Sequence, residues 1–439
     1  MGTGKQSFIS VGIYLILPLF LLTTYGDQDI PTEGVSYGTK HHSEITVLGY
    51  VTPWNTAGKD LVEEYRAKFD IVSPVWYTVH ADESHADVYE VKGGPPSDED
   101  REWYRRLQEE SPSGLKALTI APRFMLDGWS QADYHALLFN QTRWQLLSDS
   151  ITEVVEEMQY DGAVFESGIT HALAPPLSTL STSLHEESKI LIVVSPPIRP
   201  MTSSDASSVK DHNDMILQSI GPLAELADYL SIMTYDMSGP GGRESTKSFP
   251  DGSPMQAAQK QGRVREPGPN TSADWVRENL EAFILASDST TSNSASFDDQ
   301  QFHFKAQSTV SYLAGLPLYG YTYPVVYFDE HIGKFTKSRT SKDDMAMLQG
   351  LGEAITMIEI QRIINEKDPE IFESEEGEFF FDYTKEKGVW RTFMPTKESM
   401  TTAIASALEL VRDEDSSSRG VGIALWEVGQ SSRELLACL

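Results

Sequence analysis

One carboxylate at the end of a short apolar run is the first candidate for chemistry in this chain. Tyr160-Asp161-Gly162-Ala163-Val164-Phe165-Glu166-Ser167-Gly168 reads as a buried parallel strand whose C-terminal end presents Glu166. Side chains alternate along a strand, so Val164, Glu166 and Gly168 share one face. A carboxylate there can accept hydrogen bonds from a ligand, brace the interior as a paired ion, or carry a proton to a leaving group. The residues alone leave all three open. Aromatic and acidic residues recur where other apolar runs end: Tyr50 and Trp54, Trp76 and Tyr77, Asp127 and Trp129, Tyr235 and Asp236, Tyr319 and Tyr321, Trp426 and Glu427. Rings that stack on sugar C–H faces, beside acids that bind hydroxyls, describe a saccharide site. The bland alternative is that the rings merely fill an interior. Their recurrence at so many strand ends favours the site.

Other chemistries find little support. His41-His42 lies in a polar leader, and His80 and His85 are not spaced i, i+4, so no metal site is expected. There is no phosphate-binding Walker loop and no Gly-x-Ser-x-Gly elbow. Gly239-Pro240-Gly241-Gly242 reads as a turn. No cofactor is implied.

The elements that must position these residues are legible as short apolar runs. Candidate strands are Ile45–Val51, Ile71–Val79, Leu115–Ala121, Ala163–Glu166, Ile190–Ser195, Leu230–Tyr235, Val310–Tyr319 and Val421–Trp426. Helical patterns lie between them. One covers Arg143–Gln159; another starts near Thr396, with Met400, Ala403, Ile404, Ala407, Leu408 and Val411 on one face. Eight such strands separated by helices or long connections predict an α/β fold, a (β/α)8 TIM barrel, whose site lies at the C-terminal strand ends. A doubly wound open sheet is the rival, but Gly49-Tyr50-Val51-Thr52-Pro53 is not its glycine-rich phosphate turn. Roughly 100 residues separate the seventh and eighth strands, more than a simple crossover needs. Within them Phe379–Tyr383 and Val389–Phe393 predict a small inserted β-hairpin.

Composition bounds the rest. The chain has 439 residues, 35 Lys+Arg against 65 Asp+Glu, and a formal net charge of -30, which argues against nucleic acid and anionic membrane surfaces as partners. Lys5 followed by the apolar run Phe8–Leu22 and the small residues before Asp27 predicts a signal peptide over 1–26. A flexible leader over 27–43 and one domain over 44–439 follow. The expected product is secreted or held in the endomembrane lumen, the lysosome included, without a stable membrane anchor after cleavage. Cys438 is the single cysteine, so no internal disulfide can form. It is either inert or paired with another molecule. Asn140-Gln141-Thr142 and Asn270-Thr271-Ser272 are glycosylation sequons, marking Asn140 and Asn270.

Six segments carry a resemblance: Val47-Leu48-Gly49-Tyr50-Val51-Thr52-Pro53-Trp54-Asn55, Ser73-Pro74-Val75-Trp76, Asp161-Gly162-Ala163-Val164-Phe165-Glu166, Met233-Thr234-Tyr235-Asp236, Pro267-Gly268-Pro269-Asn270 and Leu425-Trp426-Glu427-Val428-Gly429-Gln430. In order and spread they resemble the family 18 glycoside hydrolases, the chitinase family, over nearly all of the mature length. The resemblance implies a saccharide ligand of the chitin or chito-oligosaccharide type. It implies Tyr50, Trp76, Glu166, Tyr235, Asp236, Tyr319 and Trp426 as ligand-binding residues, with Trp426 as the floor of the central subsite. It also implies a sorting receptor as a partner. The active pattern is Asp-Gly-x-Asp-x-Asp-x-Glu, in which the last Glu protonates the leaving oxygen and the Asp two before it orients the substrate's N-acetyl group. Aligned from Asp161-Gly162, the acid position holds Gly168 and the inner Asp positions hold Val164 and Glu166. Glu166 then stands about 6–7 Å short of the usual acid, at roughly 3.3 Å per residue. If the register slides so that Glu166 is the acid, its orienting neighbour is Val164. Either way the acid–orienter pair is broken. The expectation is therefore a chitinase-like binding protein without chitinase activity. The alternatives are a glycosidase that uses Glu166 and a protein-interaction scaffold with a vestigial cleft.

Overall fold

Apolar runs without alternation suit strands covered on both faces, and in a computed structural model they form the parallel strands of a closed barrel. The structure describes residues 39–81, 89–201, 206–245, 249, 251–260, 262–291, 310–329, 334–336, 345–386, 388–412 and 420–439. The predicted signal peptide and residues 27–38 of the leader lie outside them. The first barrel strand is Val47–Val51, the fourth Gly162–Glu166, the fifth Ile190–Ser195, the sixth Tyr229–Ile232, the seventh Ser311–Pro317 and the eighth Val421–Trp426. The second is broken into Ile71–Pro74 and Tyr77–Ala81, and the third into Thr119–Ile120 and Arg123–Leu126. Leu48 pairs in register with Ile71 and with Ala424, so the first strand closes the barrel against the eighth.

The two breaks have a common cause. Proline offers no N–H to a ladder, and Pro74 and Pro122 stand at the interruptions. Both strands bend there together. Ile71 pairs with Thr119 before the bend, and Tyr77 pairs with Phe124 after it. This corrects two sequence expectations. The third strand was expected over Leu115–Ala121 but is centred later, which brings Arg123 onto the barrel. The seventh was expected to run on to Tyr319, but it ends at Pro317 and Tyr319 starts a separate strand.

Alternation divides the packing. Val164, Ile192, Val194, Leu313, Leu48 and Ala424 fill the barrel interior. Phe165, Val193 and Ile423 face outward with the helices. The predicted helix before the fourth strand is Gln141–Glu157, started by Asn140, whose side chain accepts the Thr142 N–H at 3.0 Å. It buries Leu147, Ile151 and Val155. The last predicted helix is Lys397–Arg412, and Met400, Ala403, Ile404, Ala407 and Leu408 are buried on it.

The insertion between the seventh and eighth strands is larger than a hairpin. The expected hairpin is present as Phe379–Lys385 and Gly388–Met394. It belongs to a seven-stranded, largely antiparallel sheet built on Tyr319–Asp329, which also carries Lys334–Thr336, Met345–Leu348, Glu353–Thr356 and Ile371–Glu373. The end of the predicted leader is tied down: Lys40 Nζ donates to the Ile45 carbonyl at 2.7 Å and to Asp70, and the His41 N–H donates to the Leu439 carbonyl at 2.8 Å. Cys438 is buried, its Sγ 2.8 Å from the Leu435 carbonyl, and burial pushes its thiol up to about 11. Among the described residues no helix is long and apolar enough to cross a membrane.

Candidate functional site

The C-terminal ends of the barrel strands converge on Trp426. Tyr50, at the end of the first strand, meets its ring edge-on with centroids 5.3 Å apart. Tyr235, just past the sixth, lies parallel to it at 6.2 Å. Tyr50 donates its hydroxyl to Ser231 Oγ at 3.1 Å across the barrel interior. Burial pushes both phenols well above their ordinary range, with the Glu166 charge adding to it, so both remain neutral donors. Gly315 on the seventh strand makes room for this group. A Cβ there would come within 2.9 Å of the Tyr235 ring.

Glu166 does enter this site, and it is not alone. Arg123 Nη1 donates to Glu166 Oε2 at 3.0 Å; the two side chains are 13% and 20% exposed. The Arg123 guanidinium also lies over the Trp426 ring, 5.9 Å from its centroid. Arg123 therefore caps the tryptophan and holds the carboxylate. In that pair the Glu166 carboxylate accepts a charge-assisted hydrogen bond. Val164 is fully buried among apolar residues and cannot orient an amide. Gly168 faces open space: a Cβ added there meets nothing within 4 Å.

A second wall is organised around Asp236. Its backbone is left-handed, with φ 57°, a conformation that Asp adopts more readily than most residues. Its N–H donates to Asn270 Oδ1 at 2.7 Å, and its carbonyl accepts from Arg199 Nη1 at 2.8 Å. Its carboxylate accepts from the Tyr319 hydroxyl. Burial first, and then the Asp236 charge, push Tyr319 and Tyr321 far up, so both keep their protons. Asn270 Nδ2 donates to the Tyr319 carbonyl at 3.1 Å, which joins this wall to the inserted sheet.

Tyr50, Glu166, Tyr235, Asp236, Tyr319 and Trp426 are thus brought together. Trp76 is not. It packs edge-on against Trp103 and Tyr104 of the helix Asp98–Gln108, in the outer core, because the Pro74 break redirects the strand. Asn270 as a glycosylation site is also corrected. Its side chain is fully buried and both of its polar atoms are used. Asn140 is exposed. Asn270→Gln should accordingly cost about 2–4 kcal/mol in urea unfolding, since it disrupts a buried polar network. Asn140→Gln should cost about 1 kcal/mol, the value of a helix cap. Equal effects would contradict the assignment. His80 has Thr78 Oγ1 as a neighbour at 2.8 Å and Asp127 at 4.0 Å. Among the described residues no three His, Cys, Asp or Glu side chains form a metal-holding group.

Sequence reading missed Arg123, Arg199 and the orienting role of Asn270. For Arg123 the available signal was Pro122, which ends the apolar run and restarts the strand. Arg199 lies on the segment after the fifth strand, and nothing in its local sequence marks it.

No family model matches the chain. Solved structures do resemble it. The chitinase of Chromobacterium violaceum ATCC 12472 superposes with a TM-score of 0.58 at 18% identity, covering 90% of this chain and 97% of that one. The Group IV chitinase of Ostrinia furnacalis gives 0.55 at 14% identity, covering 90% and 98%. The Bacillus cereus spore cortex-lytic enzyme SleL gives 0.58 at 12% identity, covering 90% and 73%. The chain shares its barrel fold with these proteins.

Proposed function

We propose that the chain binds saccharide oligomers of the chito-oligosaccharide type in the cleft over Trp426 and does not cleave them. The carrying observation is the Arg123–Glu166 pair. The carboxylate that ends the fourth strand is held as an acceptor by Arg123, with apolar Val164 on one side and open space at Gly168 on the other. The ring cluster and the Asp236 wall remain, and these are groups that bind sugars. The fold shared with chitinases supports the ligand class. Fold alone does not carry activity, and the groups that perform it are altered here.

A narrower likeness, to the stabilin-interacting chitinase-like protein, supports a secreted or lumenal chain, lysosomal sorting included, that meets a sorting receptor. A glycan array with the full chain tests the ligand class. Signal on N-acetylglucosamine oligomers or related glycans is expected, and competition by the free oligomer should remove it. No signal on any saccharide would leave the cleft vestigial and favour the interaction-scaffold reading. The glycosidase reading requires Arg123 to release Glu166, and turnover that depends on Glu166 would establish it.

A further inference from the structure

Beside Tyr319, the inserted sheet meets the Asp236 wall through a buried carboxyl group. Glu378 stands immediately before the strand Phe379–Lys385 and is 2% exposed. Its Oε2 accepts the main-chain N–H of Asn270 at 2.6 Å, while its Oε1 is buried without a hydrogen-bond partner. Its carbonyl accepts the Ser374 N–H at 2.9 Å, which closes the turn that presents it. Asn270 in turn holds the Asp236 N–H and the Tyr319 carbonyl. The chain of contacts from Glu378 to the cleft wall is unbroken.

We propose that Glu378 is a positioning residue for the cleft: it clamps the Asn270 main chain from the inserted sheet, fixes Asp236 and Tyr319 through it, and releases them when it ionises.

The surroundings favour a neutral carboxyl. Among the described residues no cation is ion-paired with Glu378. Arg243 is committed to Glu376 on the same turn. From the strand Tyr319–Asp329, Tyr323 faces it, its own hydroxyl pushed up by burial and then by Glu378. Asp236 lies beyond Asn270. A buried carboxylate with one oxygen unmatched is costly, and the neutral, protonated form costs less in the same place. Burial pushes Glu378 up to about 8, against a lesser pull from the Asn270 N–H. The folded value thus lies above the ordinary one. The clamp is fully present in acid and is lost as pH climbs through about 8.

The test is hydrogen exchange, read by mass spectrometry on the peptides that hold Asp236 and Asn270, from pH 5 to 9 and corrected for intrinsic rate. Wild type should lose protection roughly tenfold across the upper half of that range. Glu378→Gln, which keeps an acceptor for the Asn270 N–H and cannot ionise, should stay protected throughout. Glu378→Ala should be unprotected at every pH. A flat wild-type profile, or a Gln variant that follows the wild-type profile, overturns the proposal. If the Ala variant does not fold, the comparison of wild type with Gln decides alone. The readout needs no ligand, so it stands apart from the saccharide reading. Affinity for chitotetraose over the same pH range adds a second arm. If the clamp is seen but no saccharide binds, the failure lies with the ligand and not with Glu378.

Discussion

Trp426→Ala should weaken chitotetraose binding by roughly 30-fold or more in calorimetric titration, the equivalent of about 2 kcal/mol. The tryptophan is the point on which three strand ends converge. Tyr50 meets its edge, Tyr235 lies parallel to it, and Arg123 covers it. A sugar that stacks there loses its apolar contact with the ring when the ring is gone. Trp426→Phe keeps a smaller face and should lose less. Trp426 packs partly buried against the interior layer of Leu48, Val164, Ile192, Leu313 and Ala424, so the titration is read only on an Ala variant that circular dichroism shows to be folded. Unchanged binding in the Ala variant would place the saccharide elsewhere.

The second large effect is a gain. The combined change Glu166→Asp with Gly168→Glu rebuilds an Asp-x-Glu spacing where the fourth strand ends at residue 166 and passes into the exposed turn at residue 168. Gly168 can accept a side chain, since a Cβ there meets no atom within 4 Å. Shortening the carboxylate at 166 also loosens its hold on Arg123, which now pairs with it at 3.0 Å. A positioned general acid contributes at least about 100-fold to rate. The double variant should therefore release a fluorescent leaving group from chito-oligosaccharides at least ~100-fold faster than wild type, and Gly168→Glu alone should gain less. No gain in the folded double variant would mean that more than this pair has been lost.

The barrel was readable because parallel strands covered on both faces need continuous apolar runs, and helices need a stripe. Both patterns are local. Strand alternation likewise placed Val164 in the interior and Glu166 at the strand end, where it meets Arg123. The errors came from interactions that are not local. Pro122 moved the third strand and brought Arg123 beside Glu166, a meeting of residues on two strands that no spacing reveals. The Pro74 break turned Trp76 toward the helix layer, although it resembled the other strand-end aromatics. Asn270 was legible as a sequon, but a three-residue motif says nothing of burial. The inserted sheet beyond its hairpin is made of short strands such as Lys334–Thr336 and Glu353–Thr356, too brief to show a period. Tyr319 stands beside Asp236, but it arrives there as the first residue of that inserted sheet.

The central claim is binding without cleavage, and one experiment reads both. Chitotetraose is titrated into the full chain by calorimetry, and the same mixture is then followed by mass spectrometry over several days. The account predicts a saturable isotherm and a tetramer that stays intact. Shorter oligomers that accumulate with wild type, and that are absent with Glu166→Gln, would contradict it.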